Sequence, residues 1–452
     1  MEQTKKWLPS KFNVISRAVT GELILYNSYT GAIVSVPPEE KRDVLAALHR
    51  QDVLNGESSE ALEVLKESGF LVPDQADEDL RAKFLHQSQH RTDLLHLIVL
   101  PTESCNFRCV YCYQKFPNTK MGDSTKNGLK RFVEEKARKL SVLSISWFGG
   151  EPLLYPEIIG ELSESFLETS AKYGLNYTAE MSTNGYYLTD DVFQQLLKWQ
   201  IKRFMITIDG PEQIHDKRRS LYGGGKSFAR ILENLKTIQH LDGEFQIDIR
   251  VNFDMDNLAE IPKLIQLLGG LFSGDERFQI FFRPVGRWGG LNDDTLPVCD
   301  QRTIETKIWE FTELSQQHGL CIHSLLESLL LPGGSVCYAA KPHSLVIGPN
   351  GNLYKCTCAF DEQVNQVGTL FQDGSVELDY DKLALWVSSG DDQDPMCRSC
   401  YFRPSCQGNH CPLYRMKTGA RPCPYEKRKI KNVLNLIAQR DSIERRDDTC
   451  GF

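Results

Sequence analysis

LLHLIVLPTESCNFRCVYCYQ, Leu94 to Gln114, sets an apolar run directly before three cysteines, Cys105, Cys109 and Cys112, that fall within eight positions. The run reads as a buried strand, and it is the first of six. LSISWFG, NYTAEMS, RFMITID, FQIDIRVNF and RFQIFFRPV follow, separated by amphipathic helical stretches such as STKNGLKRFVEEKARKL and YPEIIGELSESFLETSAKYG. Six βα-type repeats predict a parallel sheet, either open and doubly wound or closed into a partial barrel. The segments richest in polar chemistry come just after strands: ESCNFRCVYC after the first, GGEP after the second, TNG after the third, DGP after the fourth. In both architectures the carboxyl ends of the strands carry the active site.

Outward from this core, the first 90 residues form a separate segment. KFNVISRA, ELILYNS and AIVSVP are short strand candidates, and EEKRDVLAALHRQ and SEALEVLKESG are helical, which suggests a compact winged-helix-like unit. Acidic PDQADEDLRAK reads as the link to the barrel at 94–300. After Pro284 the alternation fades into a helical bridge at 301–336, a Gly-, Pro- and Cys-punctuated region at 337–430, and a final helix and charged tail at 431–452. The chain has 452 residues and 14 cysteines; none lies between Cys112 and Cys299, and eight fall between Cys337 and Cys423. Clustered thiols in a reducing compartment more often bind metal than pair as disulfides, so two metal-binding regions are expected. A formal charge of −8 leaves no global basic field for nucleic acid. With neither an apolar signal region nor a run of about 18 uncharged apolar residues, the expected location is cytoplasmic and no membrane partner is expected.

The spacing of Cys105, Cys109 and Cys112 resembles the CxxxCxxC signature of the radical SAM superfamily. In that family three thiolates hold a [4Fe–4S] cluster and S-adenosylmethionine chelates the fourth iron through its amino and carboxylate groups. Other segments resemble further family motifs. Gly149, Gly150 and Glu151 of FGGEP match the segment that approaches the ammonium group, and Tyr111 matches an aromatic residue placed against adenine. Ser182 and Asp209 match strand ends near the ribose, and Arg219 in HDKRRS is a candidate for the carboxylate. The resemblance implies a partial (β/α)6 barrel that splits S-adenosylmethionine to a 5′-deoxyadenosyl radical, which abstracts hydrogen from an unactivated carbon.

The second cysteine region resembles the seven-cysteine SPASM module. By that resemblance Cys397, Cys400, Cys406 and Cys423 would hold an outer auxiliary cluster, and Cys337, Cys356 and Cys411 an inner one, for three [4Fe–4S] clusters in all. Four residues separate Cys406 from Cys411 where three are commoner, which leaves ligation around Cys411 open. The inner set also has only three cysteines. Cys358 or His343 could close it, although Cys358 reads as a spare thiol. An open iron there could instead bind a substrate thiolate.

The N-terminal segment resembles the RiPP recognition element, a PqqD-like winged-helix fold that adds a leader peptide as an extra strand. Together these resemblances point to a peptide maturase of the sactipeptide or ranthipeptide kind, joining cysteine sulfur to carbon in a ribosomally made precursor. Its partners would be that precursor and a flavodoxin- or ferredoxin-type electron donor. The rivals are formylglycine formation on a sulfatase, carbon–carbon cross-linking or epimerisation, and a cysteine-rich scaffold or electron carrier without catalysis. No general acid or base is identifiable.

Overall fold

The computed structural model describes residues 6–18, 21–49, 59–388, 390–391 and 394–447. Arg50 and Gln51 of the first expected helix and the last five residues of the expected tail lie outside them. The chain divides into two compact units, one of Met1–His90, His323–Lys341 and Trp386–Phe452, the other of Arg91–Ile322 and Pro342–Leu385.

In the first unit, β1 (Trp7–Pro9) pairs with β5 (Leu71–Pro73), and β2 (Asn13–Arg17), β3 (Leu23–Asn27) and β4 (Ile33–Val36) form an antiparallel sheet in that order. The central strand, LILYN, is buried along its whole length. Leu23 and Leu25 pack with Val36, Val44, Leu65 and Phe70 into one core beneath the helices Lys41–His49 and Glu60–Glu67. Ser59 starts the second of these helices by accepting from the Leu62 amide at 3.3 Å. The acidic stretch expected as a link is instead the helix Glu78–Ser88. Asp77 caps it by accepting from Leu80 N at 2.9 Å, and Glu78 and Asp79 in its first turn suit the positive end of the helix dipole.

The second unit is built on a ten-stranded sheet containing β6 (Leu94–Val99), β8 (Val142–Trp147), β9 (Asn176–Thr183), β10 (Ile201–Thr207), β12 (Gln246–Phe253) and β13 (Phe278–Pro284). These are the six strands read from the sequence, and all pair in parallel. Between β6 and β8 lies β7 (Phe107–Cys109), and between β10 and β12 lies β11 (Arg219–Leu221); these two pair with each other apart from the main sheet. A seventh parallel strand, β14 (Ser344–Ile347), joins the edge of β6, and β15 (Asn352–Tyr354), β16 (Gln366–Leu370) and β17 (Val376–Leu378) continue from it antiparallel. The cysteine-rich segment thus supplies strands to the barrel sheet.

Helices between the strands cover one face, on which Leu143, Ile145 and Trp147 of β8 are fully buried. Pro156 opens the helix Pro156–Tyr173 and Gly174, at φ 69°, closes it, the asymmetry that proline's fixed φ and glycine's freedom produce. The alternate positions are polar. His96 Nε2 meets Ser146 Oγ at 2.9 Å, and Ser146 donates to Glu180 Oε1 at 2.6 Å, a chain running across three neighbouring strands. This hydrophilic inner face and the loops at the strand ends form the setting of the site.

Candidate metal and nucleotide site

The three-cysteine loop is seated by the two glycines that follow β8. A Cβ on Gly150 would stand 2.1 Å from the Ser104 carbonyl oxygen, and one on Gly149 would stand 2.2 Å from that of Thr102. Only glycine allows this approach, and Gly149 also sits at φ 135°. The gap is closed by Gly150 N donating to Thr102 O at 3.1 Å and Glu151 N donating to Ser104 O at 2.9 Å. The backbone approaching these glycines is therefore that of the cysteine loop itself.

Glu151 is completely buried. Its Oε1 accepts from Leu153 N at 3.0 Å and Thr183 Oγ1 at 2.7 Å, and Oε2 accepts from Asn184 N at 2.7 Å. Burial raises its pKa, against the pull of these donors. A carboxylate offers about four acceptor positions, so one is left for a ligand.

The pairing of β7 with β11 sets Arg219 directly opposite Cys109. Arg219 Nη1 donates to the Tyr111 hydroxyl at 2.7 Å, Asn252 Nδ2 donates to the same oxygen at 3.0 Å, and that hydroxyl donates to Asp209. The other Asp209 oxygen accepts from Asn252 N at 3.0 Å. Tyr111, Asp209 and Arg219, which the sequence offered from three separate segments, thus form one hydrogen-bonded group beside Cys109. Ser182 lies in β9 in register with Met205.

Beneath the group, the buried Arg218 and Asp254 form a bidentate ion pair, with contacts of 2.9 and 2.8 Å. Asn184 Nδ2 donates to Asn106 Oδ1 at 2.7 Å. The asparagines and the ion pair escaped sequence reading. The only trace of Asn252 was its place at a strand end, and that of Asn184 was the turn-like TNG.

Burial pushes the Cys105 thiol up to about 12 and that of Cys109 to about 11, and raises Cys112 as well. Thiols so placed need a positive metal core beside them to ionise. Cys105 Sγ accepts from Phe107 N at 3.4 Å, a hydrogen bond of the kind that stabilises cluster sulfurs. Two buried donors in the same region, Asn106 Nδ2 and Arg219 Nε, have no acceptor within the protein. Three thiols and two unmatched donors fit a cluster with an anionic group next to it.

In the first unit, Cys397, Cys400, Cys406 and Cys423 line one cavity together with Arg415, Arg421 and Lys427. Burial pushes Cys406 up to about 12, and Cys400 Sγ accepts from Phe402 N at 3.4 Å. Among the described residues no three or more His, Cys, Asp or Glu side chains are gathered as ligands of a single ion would be. Four thiols lining one cavity match the four-cysteine donor set of an iron–sulfur cluster.

Cys337 and Cys411 belong to this same unit. Cys337 N donates to Asn409 O at 3.0 Å, and Cys411 Sγ accepts from Tyr414 N at 3.4 Å. Cys356 belongs to the barrel unit.

Cys358 departs from expectation. β15 ends at Tyr354 and the chain turns, so Cys358 lies beyond the strand. Its amide donates to Cys356 Sγ at 3.3 Å. Its thiol is held below the ordinary range by hydrogen bonding, first to Cys356 and then to Tyr113, despite burial. Cys358, Tyr113, Glu103, Phe116 and Trp288 line a cavity of about 220 Å³. His343, the other candidate for closing the inner set, presents its backbone carbonyl to His96 N at 2.9 Å.

Residues 99–268 match the model of the Radical SAM superfamily. The chain is 29% identical to an AdoMet-dependent heme synthase of Methanosarcina barkeri over 45% of its own length, and spans about half, 54%, of that protein. It is 22% identical to a serine-type anaerobic sulfatase-maturating enzyme of Bacteroides thetaiotaomicron, over 72% of this chain and 84% of that one. Among solved structures, anSMEcpe with bound AdoMet and the Cp18Cys peptide superposes with a TM-score of 0.56 at 19% identity, covering 79% of this chain and 99% of that chain. No helix among the described residues is long and apolar enough to cross a membrane.

Proposed function

We propose that this chain, built around a radical SAM domain, modifies a ribosomally made precursor peptide by joining cysteine sulfur to carbon. The observation that carries the reading is the grouping of Cys105, Cys109 and Cys112 with Arg219 Nε and Asn106 Nδ2, two buried donors left without acceptors. Cys105, Cys109 and Cys112 would hold the cluster, and Glu151 and Arg219 would receive the ammonium and carboxylate of S-adenosylmethionine. The Tyr111 group would fix the nucleoside end. The bound nucleotide supplies, on one-electron reduction, the radical that takes hydrogen from carbon.

The chain's own residues orient and shield. Asp209 and Asn252 hold the Tyr111 ring through its hydroxyl, and Gly149 and Gly150 lock the cysteine loop to the strand ends. Cys397, Cys400, Cys406 and Cys423 would hold an outer cluster, and Cys358 stands beside Cys356. A peptide substrate is supported by the sulfatase-maturating relative and by β4. Among the described strands β4 pairs only with β3, which leaves an edge where an extended leader could add. A low-potential flavodoxin or ferredoxin would deliver the starting electron.

The test is the mass of a cysteine-containing precursor after incubation with iron-reconstituted protein, S-adenosylmethionine and reductant. Each thioether removes two hydrogens and leaves one fewer thiol to alkylate. An unchanged mass for every such precursor encoded nearby contradicts the proposal. Similarity to the sulfatase-maturating enzyme over 72% of the chain favours formylglycine formation as a second reading. An aldehyde trapped by a hydrazide probe would select it, whereas a thioether gives no such adduct.

A further inference from the structure

We infer that Arg415 and Lys427 set the reduction potential of the cluster proposed at Cys397, Cys400, Cys406 and Cys423, raising it by donating positive hydrogen bonds to the ligand sulfurs. The inference rests on reading those four cysteines as cluster ligands. Arg415 Nη2 donates to Cys397 Sγ at 3.4 Å, and Lys427 Nζ donates to Cys423 Sγ at 3.6 Å. These contacts are side chain to sulfur and carry full charge, unlike the amide contact from Phe402 to Cys400.

The other charges lining the cavity are already committed. Arg403 is held by Asp391 and by Asp79 at 3.0 Å. Arg421 binds Asp394 at 2.9 Å, and the same carboxylate accepts from Arg415 at 3.3 Å. Asp394 also lies 3.5 Å from Cys397 Sγ, so without its arginines it would oppose a thiolate there. One carboxylate shared by two guanidinium groups leaves one positive charge over. Lys427 adds a second, because among the described residues its ammonium group has no carboxylate partner, and it shares the cavity with Cys400 and Cys423.

Reduction adds one negative charge to a cluster, and nearby cations stabilise the reduced state more than the oxidised one. The consequence bears on the proposed reaction. Joining S–H to C–H releases one hydrogen atom, taken by the nucleotide, together with one proton and one electron. A raised potential suits the outer cluster to accept that electron. Arg415 and Lys427 act through the sulfurs and are positioning residues.

The experiment is an EPR-monitored redox titration of the full-length, reconstituted protein in a Cys105/Cys109/Cys112→Ala background, which leaves only the auxiliary signals. Lys427→Gln is expected to lower the midpoint of the signal that depends on Cys397 and Cys400 by at least 59 mV, a tenfold change in a one-electron equilibrium. Arg415→Gln is expected to do the same, while Lys427→Arg and Arg415→Lys stay near the parent value. An intact signal with an unmoved midpoint in both glutamine variants overturns the inference alone. Absence of any signal dependent on the four cysteines, in the parent as well, overturns both the inference and the cluster assignment beneath it.

Discussion

Alanine at Cys109 is expected to reduce release of 5′-deoxyadenosine from S-adenosylmethionine to background, without unfolding the barrel. Cys109 ends β7, and its partner in register is Arg219, so its sulfur stands beside the residue proposed to receive the carboxylate. Removing it takes away one of three thiolates and leaves two, too few to retain a cluster in which one iron is free to chelate the nucleotide. The β7–β11 ladder is backbone pairing and survives the change. Chromatography of the anaerobic reaction checks the outcome, with circular dichroism as the control for folding. Cleavage at even a tenth of the parent rate would mean that the cluster is held elsewhere.

The second large effect is on stability. Asp254→Ala is expected to destabilise the barrel unit by about 3–5 kcal/mol, because it strands the Arg218 guanidinium in the interior. Arg218 is 4% exposed and Asp254 1%, and their two parallel contacts are the strongest geometry such a pair can adopt. Breaking one half costs more than the pair contributes, since the buried guanidinium loses both carboxylate oxygens that it holds. The loss also reaches the site, as the Arg218 guanidinium lies 5.3 Å from the centre of the Tyr111 ring. Denaturant unfolding of the variant measures the loss. The double substitution Arg218→Met with Asp254→Leu is expected to recover most of it, and equal destabilisation in both proteins would rule out the stranded charge as the cause.

The barrel was legible in the sequence because its signals are local. Five of the six parallel strands lead into amphipathic helical stretches before the next strand, and the cysteine, GGE and DG segments stand where those strands end. β14 was not legible. Ser344–Ile347 is four residues long, sits in a region punctuated by cysteine, and pairs with β6 some 250 positions earlier, where Leu345 meets Leu97 and Ile347 meets Val99. No local pattern encodes such a partner. The helix Glu78–Ser88 was hidden for another reason: it buries only Ala82, so it lacks the apolar stripe by which a helix is recognised.

At the site, residues with a distinctive side chain and spacing could be named in advance, while the asparagines could not. Asn106, Asn184 and Asn252 do their work through hydrogen bonds between loops distant in sequence, and an asparagine at a strand end reads as a turn. Cys358 reads as a spare thiol in the sequence because nothing local announces the turn after the three-residue β15 that sets its amide against Cys356 Sγ.

The most direct test of the three-thiolate site is electron–nuclear double resonance on the reduced protein mixed anaerobically with S-adenosylmethionine labelled with ¹⁵N at its amino group. A site with one open iron predicts hyperfine coupling from that nitrogen to the cluster, lost in the Cys105/Cys109/Cys112→Ala protein. A cluster signal that the nucleotide leaves unaltered, with no nitrogen coupling, would contradict it.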